Sequence, residues 1–195
     1  MKQSKKEKLY IVTNRILTKI ENTQNDSVKK AVLANFRKSI GKPFSEMTDI
    51  WSFLFENMPE EFLGTDGNET PHEKAIVSAL QIYAICSQGS NKAVYDTEEK
   101  FGNIGQSFSV LRGLTDGQSI DQRFNTMITS SSFEELTHHM RSMVKILKSK
   151  ATVKIDYAKL AEDLFWYQCG FDKQIKLNWA RSFYRRVDVE KKEEE

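Results

Sequence analysis

Four basic or titratable side chains follow one another at helical spacing in the second half of the chain. With about 100° of rotation per residue, three cations lie within roughly 80° of His138 on a helical wheel; they are Arg141, Lys145 and Lys148. Arginine suits bidentate contact with a phosphate, and lysine meets a phosphate as a point charge. Because a row over successive turns can follow successive phosphates, this spacing indicates a face that binds a nucleic-acid backbone.

The same helix carries an apolar stripe that would hold the cations at a surface. The stripe is centred roughly 130° from the cations on the wheel, and it consists of Leu136, Met140, Met143 and Leu147. Glu134 shares the basic face at its N-terminal end and would weaken the positive potential there. A basic face opposite a buried stripe is also the ordinary pattern of a solvated helix surface, so both interpretations remain open.

No arrangement of residues that would support catalysis is evident. The sequence contains no Gly-rich phosphate loop, Gly-x-Ser-x-Gly elbow or His-Glu-x-x-His motif. His138 and His139 are adjacent, so they point about 100° apart on a helix and do not share a metal easily. Cys86 and Cys169 stand apart in apolar stretches and are predicted to be small buried side chains. We therefore expect a protein that is not an enzyme and has no cofactor and no metal.

The charges are unevenly distributed along the chain. The net charge of the whole chain is +2, but residues 1–60 carry +4, residues 61–100 carry −4, residues 101–186 carry +5 and residues 187–195 carry −3. A basic C-terminal half beside an acidic middle predicts a polarised surface. No apolar run reaches the ~18 residues of a membrane span, and no signal-peptide core follows the basic N-terminus. We expect a soluble cytoplasmic protein.

Composition and capping signals predict an all-α fold. Apolar residues make up 39% of the chain, and no proline follows Pro71, so 124 residues lack the strongest helix breaker. Side chains that cap helices precede apolar residues at helical spacing and predict helix starts; they are Thr70, Ser119, Ser132, Asp156 and Asp172. The pattern predicts a single domain of eight or nine packed helices.

The glycine-rich stretch in the middle divides the predicted helices into two groups. Residues 89–106 hold three glycines and few apolar positions, which is typical of a linker or an ordered loop. We predict an N-terminal helical half over residues 1–88 and a C-terminal half over residues 107–187. Residues 188–195 form a charged tail without a predicted helix.

Five segments of the C-terminal half follow one another in a distinctive order and spacing: Gly105–Leu114 with a Gly-x-Ser turn before an Arg-bearing helix, Ser119–Phe124, Leu136–Lys148, Ile155–Leu164 and Asn178–Tyr184. Together they resemble the CasB family, the small subunit of the type I-E CRISPR Cascade complex. The resemblance covers about the last 45% of the chain. It is weaker between Ile50 and Gly89, where an aromatic helix precedes an apolar helix opened by Pro71-His72.

The resemblance implies an all-α subunit present in two copies within an RNA-guided complex. Its partners would be the large subunit, the backbone subunits, the crRNA and the target DNA, with no membrane. Its role would be to hold the opened target DNA and stabilise the R-loop, while the guide RNA reads the sequence. The family's basic contacts carry over to Arg112, Arg123 and Arg141, and with them Lys145 and Lys148. A helical adaptor or regulator that binds only protein remains the alternative.

Overall fold

The structure is a computed structural model that describes residues 2–90, 94–95, 102–114 and 116–185, with side chains from Leu9 onward. The described residues form ten α-helices and no β-strand, and eight of the helices have ten residues or more. The helices are α1 (Lys2–Glu21), α2 (Asp26–Lys38), α3 (Thr48–Asn57), α4 (Pro71–Ser87), α5 (Ile104–Ser109), α6 (Leu111–Leu114), α7 (Gly117–Ile128), α8 (Phe133–Lys150), α9 (Tyr157–Trp166) and α10 (Asp172–Tyr184). The predicted all-α fold is confirmed.

Helix α4 lies at the centre of the bundle. Every residue from Ala75 to Cys86 is buried, as expected for a helix that is largely apolar on all its faces. Helices α1, α2, α8 and α9 pack around it. Helix α9 also packs along α1, so helices from before and after residues 89–106 contribute to one hydrophobic core. The division into two halves stays a prediction. No helix within the described residues is both long enough and apolar enough to cross a membrane.

Three of the predicted caps begin helices where the sequence places them. The Glu73 amide donates to Thr70 Oγ1 at 3.1 Å, and the Thr70 amide donates back to the Glu73 carboxylate at 2.6 Å. This reciprocal pair satisfies two amides that the first turn of α4 leaves without helical partners. Ser132 caps α8 and Asp156 caps α9 in the same way, each accepting a bond from the amide three residues later.

The other two predicted caps are wrong. Helix α7 begins two residues before Ser119, and Asp116 caps it by accepting from the Gln118 amide at 3.1 Å. Asp172 caps nothing, because the chain passes from α9 to α10 through a π-helical turn, Tyr167–Phe171. Gly170 has a φ of +88° within that turn, which glycine adopts without steric cost.

Two further predictions, that both cysteines are buried and that residues 89–106 form a linker or loop, are each correct only in part. Cys86 is buried, but Cys169 is exposed because it lies in the π-helical turn. The linker prediction is wrong at its C-terminal end, because α5 already begins at Ile104, where the Asn103 side chain accepts from the Gln106 amide. Residues 91–93 and 96–101 of the predicted linker, and the predicted tail at 188–195, lie outside the described residues.

Helices α5 and α10 cross closely at Gly105. A Cβ atom at this position would lie 2.7 Å from the carbonyl carbon of Trp179 and closer still to its carbonyl oxygen. Trp179 is fully buried, and its indole nitrogen donates to the Asp163 carboxylate at 2.7 Å. The absence of a side chain at Gly105 therefore allows the contact that fixes α10 against α5.

We predict that Gly105→Ala lowers the free energy of unfolding by about 1–3 kcal/mol, because the added methyl group forces the two helices apart. Urea denaturation followed by circular dichroism measures this change. Gly113→Ala is the matched control, since a Cβ there meets no atom within 4 Å and alanine is the better helix former by about 1 kcal/mol. Equal stability of the two variants would show that the crossing tolerates a methyl group.

Candidate nucleic-acid interface

Three of the five basic residues predicted from the sequence line one groove. The basic groove, as we call it, has a volume of about 860 Å³ and lies between α2 and α8 at the C-terminal end of α4. Its lining consists of Arg37, Ile40, Gly41, Ile85, Gln88, His138, Arg141, Ser142, Lys145, Lys148 and Ser149. Arg141, Lys145 and Lys148 thus meet a fourth cation, Arg37 of α2, which sequence reasoning missed.

Helix α8 positions its cations by burying the predicted stripe. Leu136, Met140, Met143 and Leu147 are all at most 1% exposed. This burial fixes the rotation of the helix about its axis, so the residues on its flank face the groove. His138 and Lys145 are exposed there, whereas Arg141 is only partly exposed.

The Arg141 guanidinium lies in the groove, and no described residue neutralises it. Among the described residues, no hydrogen bond or ion pair to its side chain is found. Partial burial lowers its pKa below the usual arginine value, because removal from water disfavours the charged form. It nevertheless stays protonated, since arginine pKa values lie above ~12. A partly desolvated cation whose N–H groups have no partner among the described residues is well suited to bind an anion.

Lys148 and Arg37 are held by the end of α4. Lys148 Nζ donates to the Ile85 carbonyl oxygen at 2.7 Å and also to the Gln88 carbonyl oxygen. Arg37 donates to the Ala84 carbonyl oxygen at 3.1 Å. The last carbonyls of a helix have no helical partners and carry partial negative charge, so they attract cations. These two side chains therefore cap α4 while also lining the groove.

The remaining two predicted residues do not line the basic groove. Arg112 forms a bidentate ion pair with the Asp121 carboxylate, at 2.7 and 3.1 Å. The Arg112 guanidinium carbon also lies 5.0 Å from the ring centroid of Tyr184. The pKa of Arg112 is raised, chiefly by the hydrogen bond to Asp121. Arg123 is exposed on α7 and has no ion-pair partner within the described part of the chain.

A second depression continues the basic groove toward the N-terminal end of α8. It has a volume of about 360 Å³ and shares Gly41 and Arg141 with the groove. Lys74 lies in this depression but is 3.1 Å from Glu69 and 3.7 Å from Glu134. The positive potential therefore weakens toward Glu134, as the sequence predicts.

The histidine, cysteine and acidic side chains form no metal site in the described part of the chain. No group of three or more histidine, cysteine, aspartate or glutamate residues there is close enough to hold a metal ion. The His138 and His139 rings lie 5.4 Å apart, with their planes 81° from parallel. His139 Nε2 is 3.9 Å from Glu135 instead. The two histidines thus face different surroundings, as their adjacency on a helix requires.

Comparisons with known proteins agree with this all-helical architecture. The family profile described as CRISPR-associated protein Cse2 matches residues 32–184. CasB from Thermobifida fusca has 19% sequence identity and a TM-score of 0.66, covering 90% of this chain and 96% of its own. CasB from M. ruber has 20% identity and a TM-score of 0.67, covering 89% and 93%, and CasB from Thermus thermophilus has 18% and 0.59, covering 88% and 97%. Comparison with curated protein sequences gave no match.

The profile match extends over most of the chain and defines the class of protein. The chain belongs to the Cse2 family of CRISPR-associated proteins, which confirms the resemblance to CasB found in the sequence. The solved CasB structures show the same fold.

We predict that Lys148→Met lowers the free energy of unfolding by about 1–3 kcal/mol, because the last carbonyls of α4 lose a charged donor. Lys145→Met is the matched control; it removes an exposed cation from the same helix and should change stability by no more than about 0.5 kcal/mol. Chemical denaturation of both variants measures the difference. If the two variants are equally stable, Lys148 is a free cation and does not hold α4.

Proposed function

We propose that this protein is a non-catalytic small subunit of a type I-E CRISPR Cascade complex that binds a nucleic-acid backbone in its basic groove. The observation that supports the proposal is the pair Arg141 and Lys145, whose cationic groups have no ion-pair partner within the described residues and line one concave surface. In this role the protein would hold the opened target DNA and stabilise the R-loop.

The chemistry of the groove suits phosphate groups. Arg141 offers a planar set of donors to phosphate oxygens, and Lys145 adds a mobile point charge. Arg37 and Lys148 donate hydrogen bonds to carbonyl oxygens of α4 but still contribute positive potential. Phosphate contacts carry no base information, so the groove would act equally on all target sequences while the guide RNA reads the bases. Because R-loop formation is nearly balanced in energy, a few such contacts can shift it.

Arg123 and Arg112 would act outside the groove. Arg123 is exposed and available for a further backbone contact. The guanidinium of Arg112 is occupied by Asp121, so it would hold α6 against α7 and leave direct phosphate contact to other residues. The proposed partners are the large subunit, the backbone subunits, a second copy of this chain, the crRNA and the target DNA.

We predict that Arg141→Gln combined with Lys145→Gln weakens binding of target DNA by the assembled complex. Each lost phosphate contact should also reduce the slope of log affinity against log salt by about 0.7 on a single strand or about 0.9 on a duplex. Binding titrations at several salt concentrations measure both effects. Circular dichroism establishes that the variant is folded.

The matched control is Lys173→Gln combined with Arg181→Gln. It removes the same charge from exposed positions on α10 that do not line the groove. This control should keep the parent's affinity and salt slope. If both double variants weaken binding equally, only net charge matters and the groove is not the site. If neither has an effect, the protein acts as an adaptor without nucleic-acid binding.

We also predict that the complex reconstituted from the subunits of the same host contains two copies of this chain. Native mass spectrometry counts the copies directly from the mass of the intact complex. A complete complex of full activity that lacks this chain would refute its assignment as a subunit.

A further inference from the structure

A cleft lined by aromatic side chains adjoins the second depression. It has a volume of about 670 Å³ and shares Pro43, Glu69 and Lys74 with that depression. Its apolar lining comes from Phe44, Trp51, Phe55 and Leu63. We call this the aromatic cleft; it plays no part in the nucleic-acid binding proposed above.

The aromatic side chains of the cleft are held in place by contacts with one another and by a hydrogen bond. The rings of Trp51 and Phe55 stack with centroids 6.3 Å apart and planes 22° from parallel, and Phe44 packs edge-on against Phe55 at 6.3 Å. The Trp51 indole nitrogen donates to the Phe44 carbonyl oxygen at 3.0 Å, which fixes the ring. Phe55 nevertheless remains 42% exposed. Exposed aromatic surface that is held rigid at low entropic cost is typical of sites that bind protein side chains.

The chain segment around the cleft carries more carboxylates than cations: Lys42 precedes it, and Lys74, which lines the cleft, is ion-paired with Glu69 and Glu134. Residues 43–73 contain eight carboxylates and no lysine or arginine: Glu46, Asp49, Glu56, Glu60, Glu61, Asp66, Glu69 and Glu73. Glu73 is buried in the α4 capping box and Glu69 pairs with Lys74, whereas Glu46, Glu56, Glu60 and Asp66 are exposed. The Asn68 amide lowers the pKa of Asp66, so that carboxylate stays ionised even in mild acid. Such a field repels a phosphate backbone and attracts cations.

We propose that the aromatic cleft is the docking site for a segment of another protein that presents an arginine or lysine beside an apolar side chain. The cation would lie over the Trp51 and Phe55 rings, where the faces of both π systems attract positive charge. The surrounding carboxylates would favour the same partner and fix its orientation. A symmetric pairing with a second copy of this chain would bring acidic surface against acidic surface, and is therefore disfavoured.

The first test replaces Phe55 by serine and measures how much of the chain enters the complex reconstituted from the same host, by native mass spectrometry without target DNA. Phe55→Ser should weaken incorporation by about tenfold or more, as expected for loss of a central aromatic contact. The matched control is Leu177→Ser, which removes an apolar side chain that is 50% exposed on α10. The control should assemble as the parent does. Unchanged assembly of Phe55→Ser would overturn the proposal.

A charge test separates a basic partner from a merely apolar one. Glu56→Gln combined with Asp66→Asn removes two charges, and the asparagine side chain introduced by the second change can still accept the bond from the Asn68 amide that turns the loop. Incorporation of this variant should be weaker than that of the parent at low salt and approach it at high salt, because screening removes the attraction. If the two proteins incorporate equally at every salt concentration, the acidic surface has no role in docking.

Photo-cross-linking identifies the occupant even if a variant fails to fold. Ser45 is exposed and lines the cleft, so a benzophenone amino acid at this position lies beside any bound segment. In the assembled complex we expect a cross-link to another protein subunit, within a peptide that contains arginine or lysine. A cross-link to RNA, to DNA or to a second copy of this chain would overturn the proposal, and so would the absence of any cross-link. The groove variants should leave this cross-link unchanged, so failure here is distinguishable from failure of the nucleic-acid function.

Discussion

The carbonyl end of α4 is the point on which the arrangement of the basic groove depends. A helix that ends at the surface leaves its last carbonyls without partners and with partial negative charge. Here Arg37 from α2 and Lys148 from α8 both donate to these carbonyls. Because one helix end receives a cation from each neighbour, α2 and α8 are held at a fixed separation. The groove is the space that this separation leaves.

This arrangement divides the cations of α8 by function. Lys148 lies where the helix meets the end of α4 and stabilises the fold, while Lys145 and Arg141 have no such acceptor among the described residues. Arg112 repeats the distinction elsewhere, because Asp121 occupies its guanidinium. Cations at regular helical spacing in the sequence therefore differ in role. Arg141 and Lys145, which have no partner among the described residues, support the proposed binding of a phosphate backbone. Lys148 holds α8 against the end of α4 and so positions these two side chains.

Charge also separates the two surfaces that we assign to different partners. The basic groove and the aromatic cleft are joined by one depression, in which Lys74 is held between Glu69 and Glu134. Cations line the groove, whereas exposed carboxylates lie in the chain segment around the cleft. A nucleic acid in the groove would be repelled from the cleft, and a basic protein segment in the cleft would be repelled from the groove. Both partners could then bind at once.

The sequence by itself determined the helices, the apolar stripe of α8 and the family. Caps such as Thr70 and Ser132 act over three residues, and helical periodicity acts over four, so local order alone reveals them. The caps predicted at Ser119 and Asp172 are wrong because Asp116 caps α7 and because α10 follows α9 through a π-helical turn that contains Gly170. Only the tertiary structure brought Arg37 to the groove and Lys148 to the α4 carbonyls, 63 residues away at Ile85. Whether a cation is free or occupied depends on acceptors that are distant in sequence, and packing of the core decides which of them it meets.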